Sequence, residues 1–324
     1  MREVAVVGAG VMGRAAAWAL TARGADVTLI EQFELDHTRG SSHGRTRVFR
    51  LAYPDPAWVE LAQEAFAGWR DVERQSGLEI LALHGLVEIC SRVELTSQDV
   101  LASRGIEHRL LDADELRERR VELPKGWVAL SQPDAGVIRA DVARQAFLDV
   151  GRPHLEVGRR VESLDDIDAE VVVVTAGAWV GKLVPDLPVR VTRETIAYFN
   201  HPGSPIPSVV QLDEKTREHA MYALHDPAHG MKAGAHHAGA DADPDDEGIA
   251  DPVLVQRIVD WVRDRFPDAD PEPVGAETCL YTSTVDGSFV IERRGRLVVC
   301  SACSGHGFKF APAVGRRLAD LALQ

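Results

Sequence analysis

The sequence predicts an α/β fold in which a Rossmann-like dinucleotide-binding domain is assembled from separated stretches of the chain. An apolar run at residues 4–7 enters a glycine turn at 8–13, which is followed by an alanine-rich helix. Two later apolar runs, at 170–175 and 297–300, also end at turns of small residues. Such continuous runs, rich in β-branched residues, are typical of buried parallel strands. We therefore expect one parallel sheet that is resumed after an insertion.

The first turn has the glycine spacing of a dinucleotide-binding motif. Gly8 permits the tight turn, Gly10 lets backbone amides approach a pyrophosphate, and Gly13 lets the helix pack against the strand. The N-terminus of the helix adds partial positive charge for the phosphates. Glu31 follows the second strand, at 26–30, where its carboxylate is able to accept hydrogen bonds from a ribose diol. These features predict an adenine dinucleotide, and they do not separate NAD from FAD.

Composition and charge narrow the class of protein. A chain of 324 residues, 45% hydrophobic and 27% charged, is typical of a soluble protein with room for two domains. The formal charge of -14 argues against a nucleic-acid partner. We expect no membrane segment, because no apolar run approaches the roughly 20 residues that span a bilayer. The first strand leaves no room for a signal peptide, which predicts a cytoplasmic protein.

The four cysteines, Cys90, Cys279, Cys300 and Cys303, are too few for a disulfide framework in a chain of this length. Cys300 and Cys303 form a CxxC pair, which is compatible with a redox or a zinc site. No second pair completes a zinc site, and the pair follows a hydrophobic strand rather than a thioredoxin-like motif. We therefore expect buried, inert thiols.

A small, flexible loop is predicted at residues 40–50, directly after the nucleotide motif. It carries one histidine and three arginines. Arginine side chains stay charged and suit planar anions such as carboxylates. The alternative is a solvated basic loop without a ligand.

The segments between these motifs are expected to be structural. The patterns predict helices at 55–77, 112–120, 251–266 and 312–323, another that begins at Asp141, and mainly strands at 188–222. The first helix places Trp58 and Trp69 on its apolar face, where we expect them to pack in the core rather than against a ligand.

Residues 225–247 are rich in His, Gly and Asp, a composition that could in principle bind a metal. Asp241, Asp243 and Asp245 mimic the start of an EF-hand loop. Position six of that loop would be Asp246 instead of Gly, and position twelve would be Pro252 instead of Glu. His229, His236 and His237 supply further possible ligands. We predict that the protein binds no metal.

Six stretches in this order, GAGVMG, GSSHGRTRVFR, VVVTAGAW, MKAGAH, ETCLYTSTVDGSFVI and SGHGFKFAPAVG, carry a family resemblance. The chain resembles the FAD-dependent amine oxidases of the monomeric sarcosine oxidase and N-methyltryptophan oxidase family, within the D-amino acid oxidase-like group. The resemblance runs from residue 4 to residue 321. It implies an FAD-binding domain formed by residues 1–80, 138–187 and 276–324. Residues 81–137 and 188–275 would form an α+β substrate domain with a mainly antiparallel sheet.

The resemblance also implies how FAD is held. Cys279 matches the cysteine whose sulfur is attached to the flavin 8α-methyl group, whereas without the family context a core thiol is an equal alternative. The implied FAD contacts are Gly8, Gly10, Val11, Met12, Gly13, Glu31, Gln32, Ser41, Ser42, Arg47, Ala176, Gly177, Trp179, Cys279, Gly305, His306, Gly307, Phe308 and Lys309.

Catalytic roles carry over from the same resemblance. Arg50 and Lys309 match the pair that binds the substrate carboxylate. Lys232 matches the lysine that activates oxygen, where a fixed cation would stabilise superoxide. The remaining catalytic matches are His236, Tyr222, His43 and Arg47, the last two beside the flavin ring. The alternative for Lys232 and Lys309 is a surface lysine, which their apolar, Gly-rich surroundings disfavour.

The implied reaction is oxidation of the C–N bond of a small amine to an imine, with an N-methyl or other secondary amino acid expected as substrate. Reoxidation by O₂ would give hydrogen peroxide. Alternatives are a flavin dehydrogenase or cyclic-imine-desaturating oxidase of a biosynthetic pathway, an NAD-dependent dehydrogenase, and a non-catalytic flavin-binding protein. The chain departs from the family by its shorter length and at Ala302, Cys303 and Val285, which bear on substrate size. We expect a monomer or a homodimer.

Overall fold

The first sheet of the protein is the predicted nucleotide-binding sheet. The computed structural model describes residues 2–91, 95–203, 205–212 and 220–324. The six strands of this sheet are β1 (Glu3–Val7), β2 (Asp26–Glu31), β9 (His154–Val157), β10 (Val171–Val174), β17 (Val290–Arg294) and β18 (Leu297–Ser301). They lie in the order β17-β18-β10-β1-β2-β9, and the pairs are parallel apart from β17 with β18.

This arrangement confirms the predicted fold class. The three apolar runs singled out in the sequence become β1, β10 and β18, which are neighbours in the sheet. The edge strand β9 was not predicted. Its residues are mostly exposed, so that its sequence lacks the apolar run by which the other parallel strands are recognised.

Four long helices pack beside this sheet. They are α1 (Val11–Thr21), α2 (Pro56–Ser76), α5 (Ala140–Gly151) and α8 (Ala311–Leu323). The Asp55 side chain caps α2 by accepting a hydrogen bond from Ala57 N, and Gly77 ends the helix with a φ of 73°. Helices α1 and α8 pack closely because Gly315 has no side chain, and a Cβ there would lie 2.5 Å from the Ala15 carbonyl oxygen.

The second sheet has nine strands and is formed mainly by the inserted part of the chain, with one strand, at residues 273–283, that crosses the predicted domain boundary at 276. They are β5 (Leu86–Cys90), β6 (Arg109–Leu111), β7 (Val128–Gln132), β11 (Arg190–Asn200), β12 (Ser208–Gln211), β13 (Met221–Asp226), β14 (Gly230–Ala235), β15 (Ala240–Asp241) and β16 (Pro273–Ser283). Their order is β15-β11-β14-β13-β12-β5-β7-β6, with β16 also paired to β11. The strand pairs of this sheet are antiparallel apart from β5 with β12, which agrees with the predicted, mainly antiparallel sheet. Of the region predicted as mainly strands, residues 204 and 213–219 lie outside the described residues.

A small third sheet corrects the prediction of a flexible loop at 40–50. Residues 46–49 form β3 (Thr46–Phe49), which pairs with β8 (Gly136–Arg139), and β8 pairs with β4 (Leu81–Ala82). The pairing explains the difference, because β8 is distant in sequence and supplies the hydrogen bonds that a local pattern does not reveal.

The other α-helices are α3 (Ser97–Ser103), α4 (Ala113–Glu118), α6 (Val180–Leu183) and α7 (Pro252–Arg265). Helix α7 packs against β11 and β14, with Ile258 and Val262 in the core of the inserted region. Among the described residues, no cluster of His, Cys, Asp or Glu could hold a metal ion. Within the same residues, no helix combines the length and apolarity needed to cross a membrane.

Candidate active site

One cavity of about 800 Å³ extends from the glycine turn after β1 to the inner strands of the second sheet. Every residue assigned to the site from the sequence lines this cavity except Gly13. Residues from both ends of the chain therefore meet in one place. Their individual roles stay predictions, since lining a cavity does not define a function.

Glycines shape the first end of the cavity. Gly8 has a φ of 98°, and a Cβ there would lie 2.6 Å from the Thr175 carbonyl oxygen. A Cβ at Gly13 would lie 1.8 Å from the Gly8 carbonyl oxygen, so Gly13 allows α1 to pack against β1 and does not face a ligand. Around Gly10 the one neighbour of a Cβ would be Ser42 Oγ, 3.2 Å away. The open space beside Gly10 is where a phosphate backbone would approach.

Two side chains fix this turn. Glu31 is buried, and its carboxylate accepts hydrogen bonds from Ala9 N at 2.8 Å and Phe33 N at 3.0 Å. Val11 N, in the first turn of α1, donates to Ser42 Oγ at 3.0 Å. The segment after β2 is thereby tied to the helix N-terminus that would face the pyrophosphate.

The segment 40–47 is also hydrogen-bonded to β16. Ser41 Oγ donates to the Leu280 carbonyl oxygen, and His43 Nε2 lies 2.9 Å from the Thr278 carbonyl oxygen. These two contacts flank Cys279. The Arg47 guanidinium donates to the carbonyl oxygens of Ser41 and His43, at 2.8 and 2.6 Å, and so holds the segment in its curved shape.

Cys279 is buried and borders the cavity. Burial raises the pKa of its thiol to about 12, although the charges of Arg47 and Lys232 act in the opposite direction. The thiol is therefore protonated at neutral pH. Attachment of a group to the sulfur would need removal of this proton. Of the two nearby cations, Arg47 lowers the thiol pKa more than Lys232 does and so favours this removal more strongly.

Lys232 is only 2% exposed, which excludes the surface alternative. It lies on β14 opposite Tyr198 of β11, and its Nζ donates to the Thr46 carbonyl oxygen at 2.5 Å. Burial, followed by the charge of Arg47, lowers the pKa of Lys232 to about 7. A pKa in this range means that protonated and neutral forms of the amine coexist near neutral pH, and the role of Lys232 as a cation stays a prediction.

Two further cations meet at the other end of the cavity. Lys309 is 2% exposed, and its Nζ donates to the His306 carbonyl oxygen at 2.7 Å. Lys309 Nζ lies 5.6 Å and Arg50 Cζ 4.4 Å from the centre of the Tyr53 ring. Both cations therefore make cation–π contacts with the same tyrosine ring. Burial lowers the pKa of Lys309, an effect that a bound carboxylate would reverse.

Neutral groups form another wall of the cavity. His236 Nδ1 lies 3.1 Å from Tyr281 Oη, and burial lowers the pKa of His236 well below its ordinary value. Burial raises the pKa of both Tyr222 and Tyr281. Tyr222 packs over Gly234 on the neighbouring strand, where a Cβ would lie 2.6 Å from the tyrosine oxygen. The imidazole and both phenols are uncharged at neutral pH.

Sequence reasoning missed several lining residues. Tyr281 follows Cys279 by two positions, and the strand period of two would have placed both on one face. Glu88 was detectable as a charge inside the apolar run of β5. Tyr53, which supports Arg50 and Lys309 from outside the cavity lining, carried no such signal. Cys303 is half-buried and borders the cavity, so the prediction that both thiols of the CxxC pair are buried is wrong for Cys303 and holds for Cys300.

The residues present fit a bound dinucleotide. His43 Nδ1 and Thr282 Oγ1 are buried without a hydrogen-bond partner, and both residues border the cavity. Buried polar atoms are normally satisfied, so these two are candidates to contact a polar ring or its substituents. Together with the open glycine turn and Glu31, they make an elongated site with polar groups along its length.

Comparisons with known proteins agree with this fit. Residues 3–321 match a family model described as FAD dependent oxidoreductase. The chain is 31% identical to peroxisomal sarcosine oxidase from Homo sapiens, over 99% of this chain and 92% of that protein. It is 33% identical to monomeric sarcosine oxidase from Streptomyces avermitilis, over 99% and 93%. The solved structure of NikD, titled an unusual amino acid oxidase essential for nikkomycin biosynthesis, is similar with a TM-score of 0.88 and 25% identity, over 100% of this chain and 95% of that chain.

The glycine turn yields a direct test of cofactor binding. Gly10→Val would place two methyl groups in the space beside the helix N-terminus, where the nearest atom is Ser42 Oγ. We expect the variant to fold and to be purified without bound FAD, as measured by visible absorbance and circular dichroism. Gly275→Val, at a strand position with no atom within 4 Å of a Cβ, is the matched control and should remain yellow. A yellow Gly10→Val protein would contradict the placement of the dinucleotide.

Proposed function

This chain belongs to the family of FAD-dependent oxidoreductases, and we propose that it oxidises the C–N bond of a small secondary amino acid to an imine. Its relatives identify it as a sarcosine oxidase-type enzyme that acts on CH–NH donors. The observation that carries the proposal is the continuous cavity whose lining includes both the glycine turn and the paired cations Arg50 and Lys309. We further propose O₂ as the electron acceptor and hydrogen peroxide as a product.

In this proposal the chain holds FAD along the cavity. Residues 1–80, 138–187 and 276–324 form the FAD-binding domain, with the pyrophosphate at Gly10 and the ribose at Glu31. When bound, FAD supplies the acceptor for a hydride equivalent and the means of passing two electrons to O₂. Segment 40–47 and β16 lie on the route from the glycine turn to the second sheet, and their contacts around Cys279 support attachment at this sulfur.

Arg50 and Lys309 bind the substrate carboxylate. Arginine presents a planar fork of donors, and lysine presents a point charge with three donors. The two charges lie over the same tyrosine ring, and Lys309 is buried. In this low-dielectric setting a charge-assisted hydrogen bond is stronger than at the surface. The carboxylate would therefore orient the amine end of the substrate toward the interior of the cavity.

Positive charge in the cavity also keeps the substrate amine unprotonated. A protonated amine has no lone pair with which to assist the departure of a hydride from the neighbouring carbon. Glu88 and the bound carboxylate balance the charges of Arg50 and Lys309, whereas Arg47 adds a further positive charge that opposes protonation of the bound amine and so lowers its pKa. The wall formed by His236, Tyr222 and Tyr281 is neutral and does not offset this effect.

Lys232 assists the transfer of electrons to O₂. Negative charge develops on oxygen as it is reduced, and a protonated amine held inside the protein stabilises that charge without reorganisation. Its position is fixed by the hydrogen bond to the Thr46 carbonyl oxygen. Because the pKa of Lys232 is about 7, part of the population has a neutral amine at neutral pH.

A panel of amines tests the reaction class. We expect anaerobic mixing with N-methyl amino acids to bleach the flavin, and aerobic mixing to release hydrogen peroxide in proportion to the amine consumed. Amines of the same size without a carboxylate should react at least tenfold less efficiently in kcat/KM, since they lose charge-assisted hydrogen bonds. Bleaching without peroxide release would favour a dehydrogenase. No bleaching with secondary or cyclic amines would contradict the proposal.

The role of Lys232 separates the two half-reactions. Lys232→Met should slow reoxidation of the reduced enzyme by O₂ by roughly 100-fold, the usual effect of removing one electrostatic stabiliser, and should change flavin reduction only a few-fold. Stopped-flow measurement of each half-reaction gives these rates. Lys125→Met, at an exposed lysine, is the matched control. Equal losses in both half-reactions would rule out the assigned role.

The pKa of Lys232 also sets the expected pH dependence. The protonated form is the active one, so the wild-type reoxidation rate should fall as pH rises through about 7. Lys232→Met should show no such step in this range.

Attachment through Cys279 is tested by mass. The intact wild-type protein should be heavier than its polypeptide by one FAD and should stay yellow after acid precipitation. Cys279→Ala should have the polypeptide mass, and its flavin should be released by acid. Cys90→Ala, a buried cysteine outside the cavity lining, is the control and should keep the adduct. A wild-type protein with bound but releasable flavin would exclude the tether and leave the oxidase proposal intact.

A further inference from the structure

Glu88 is a buried carboxylate at the end of the cavity where the substrate carboxylate is proposed to bind. It lies within the apolar strand β5, is 2% exposed, and borders the cavity together with Ser97 of α3. A carboxylate in this position repels the anion that the neighbouring cations attract. The proposed reaction assigns no role to Glu88, so its presence needs another explanation.

Both oxygens of Glu88 have partners. Oε2 lies 3.2 Å from Arg50 Nη1, and Oε1 accepts a hydrogen bond from Ser97 Oγ at 2.5 Å. Burial raises the pKa of Glu88, and both Arg50 and Ser97 oppose that rise. The guanidinium has five donors, so that a bond to Glu88 leaves others for a second carboxylate. Arg50 is therefore able to bind the Glu88 carboxylate and the substrate carboxylate at the same time.

The charges at this end of the cavity balance with one substrate carboxylate. Arg50 and Lys309 contribute two positive charges, and Glu88 removes one. Burial lowers the pKa of His306 to about 3 and that of His236 well below its usual range, so these imidazoles add no charge. One bound carboxylate makes the group neutral. A second anionic group would be uncompensated in a low-dielectric site, where unpaired charge is costly.

We infer that Glu88 is a specificity-determining residue, which admits amines with a single carboxylate and excludes amines that carry a second acidic group nearby. The inference rests on the proposed carboxylate-binding role of Arg50 and Lys309. It extends that role by defining the substrate class as monocarboxylic amino acids. It also explains why Glu88 is buried beside Arg50, since a carboxylate affects which anions bind only if it lies close to the cations that bind them.

Titration of the oxidised, flavin-loaded enzyme with two acids that are not amines tests this inference. Propionate carries one carboxylate and succinate carries two, and binding of each is followed through the visible absorbance of the flavin. Wild-type enzyme should bind propionate in preference to succinate. Glu88→Gln keeps the shape and the hydrogen-bonding capacity toward Ser97 but removes the charge, and should raise the succinate-to-propionate affinity ratio by at least about tenfold.

A control variant distinguishes the effect of the Glu88 charge on the affinity ratio from the effect of the overall charge of the protein. Glu64→Gln removes the same charge from an exposed residue of α2 outside the cavity lining, and should leave the ratio unchanged. An unchanged ratio in Glu88→Gln, or an equal loss of affinity for both acids, would overturn the selectivity role. Failure of the wild-type enzyme to bind either acid would instead overturn the carboxylate site itself. Neither outcome depends on amine turnover, so a failed amine panel is distinguishable from both.

Discussion

The structure depends on the hydrogen bonds between the segment 40–47 and strand β16. Ser41 bonds to the backbone of Leu280 and His43 to that of Thr278, on either side of Cys279. These contacts join an early part of the chain to a late one, 239 and 235 residues apart. Because the segment also bonds to the first turn of α1 through Ser42, one short piece of chain connects the nucleotide end of the cavity to its interior.

The same segment places the charges of the site. Arg47 is held by carbonyl oxygens of residues 41 and 43, and the carbonyl oxygen of Thr46 accepts the hydrogen bond from Lys232. Pairing of β3 with β8 keeps that carbonyl in place. A lysine that titrates near neutrality needs such a fixed and dry environment, since in water its pKa would return to the ordinary value.

Burying several cations in one cavity opposes folding, and the structure offsets this cost with acceptors. Lys309 and Lys232 each bond to a backbone carbonyl oxygen, and Arg50 is paired with Glu88. Breaking a buried pair by removing one partner is usually more destabilising than the pair is stabilising. The buried cations therefore contribute little to the stability of the fold, and their value lies in binding anions. The same fold serves several reactions among the similar proteins, so the function of this chain has to be argued from these side chains.

Most of the helices and buried strands could be predicted from the sequence alone. The periodicity of the apolar runs, the caps at Asp55 and Asp251, and the spacing of Gly8, Gly10 and Gly13 predicted strands, helices and the nucleotide turn, because these features depend on neighbours in the chain. Every residue that the family resemblance assigned to the site, except Gly13, lines the cavity, since motif order survives where overall identity is low.

The tertiary structure decided what depends on distant partners. The strand at residues 46–49 forms because it pairs with β8. The pKa of Lys232 depends on burial and on the charge of Arg47, which lies 185 positions earlier in the chain. The ion pair of Glu88 with Arg50 joins residues 38 positions apart. No local pattern encodes these effects, because each arises from the low dielectric and fixed geometry that exist only after the two sheets have packed around the cavity.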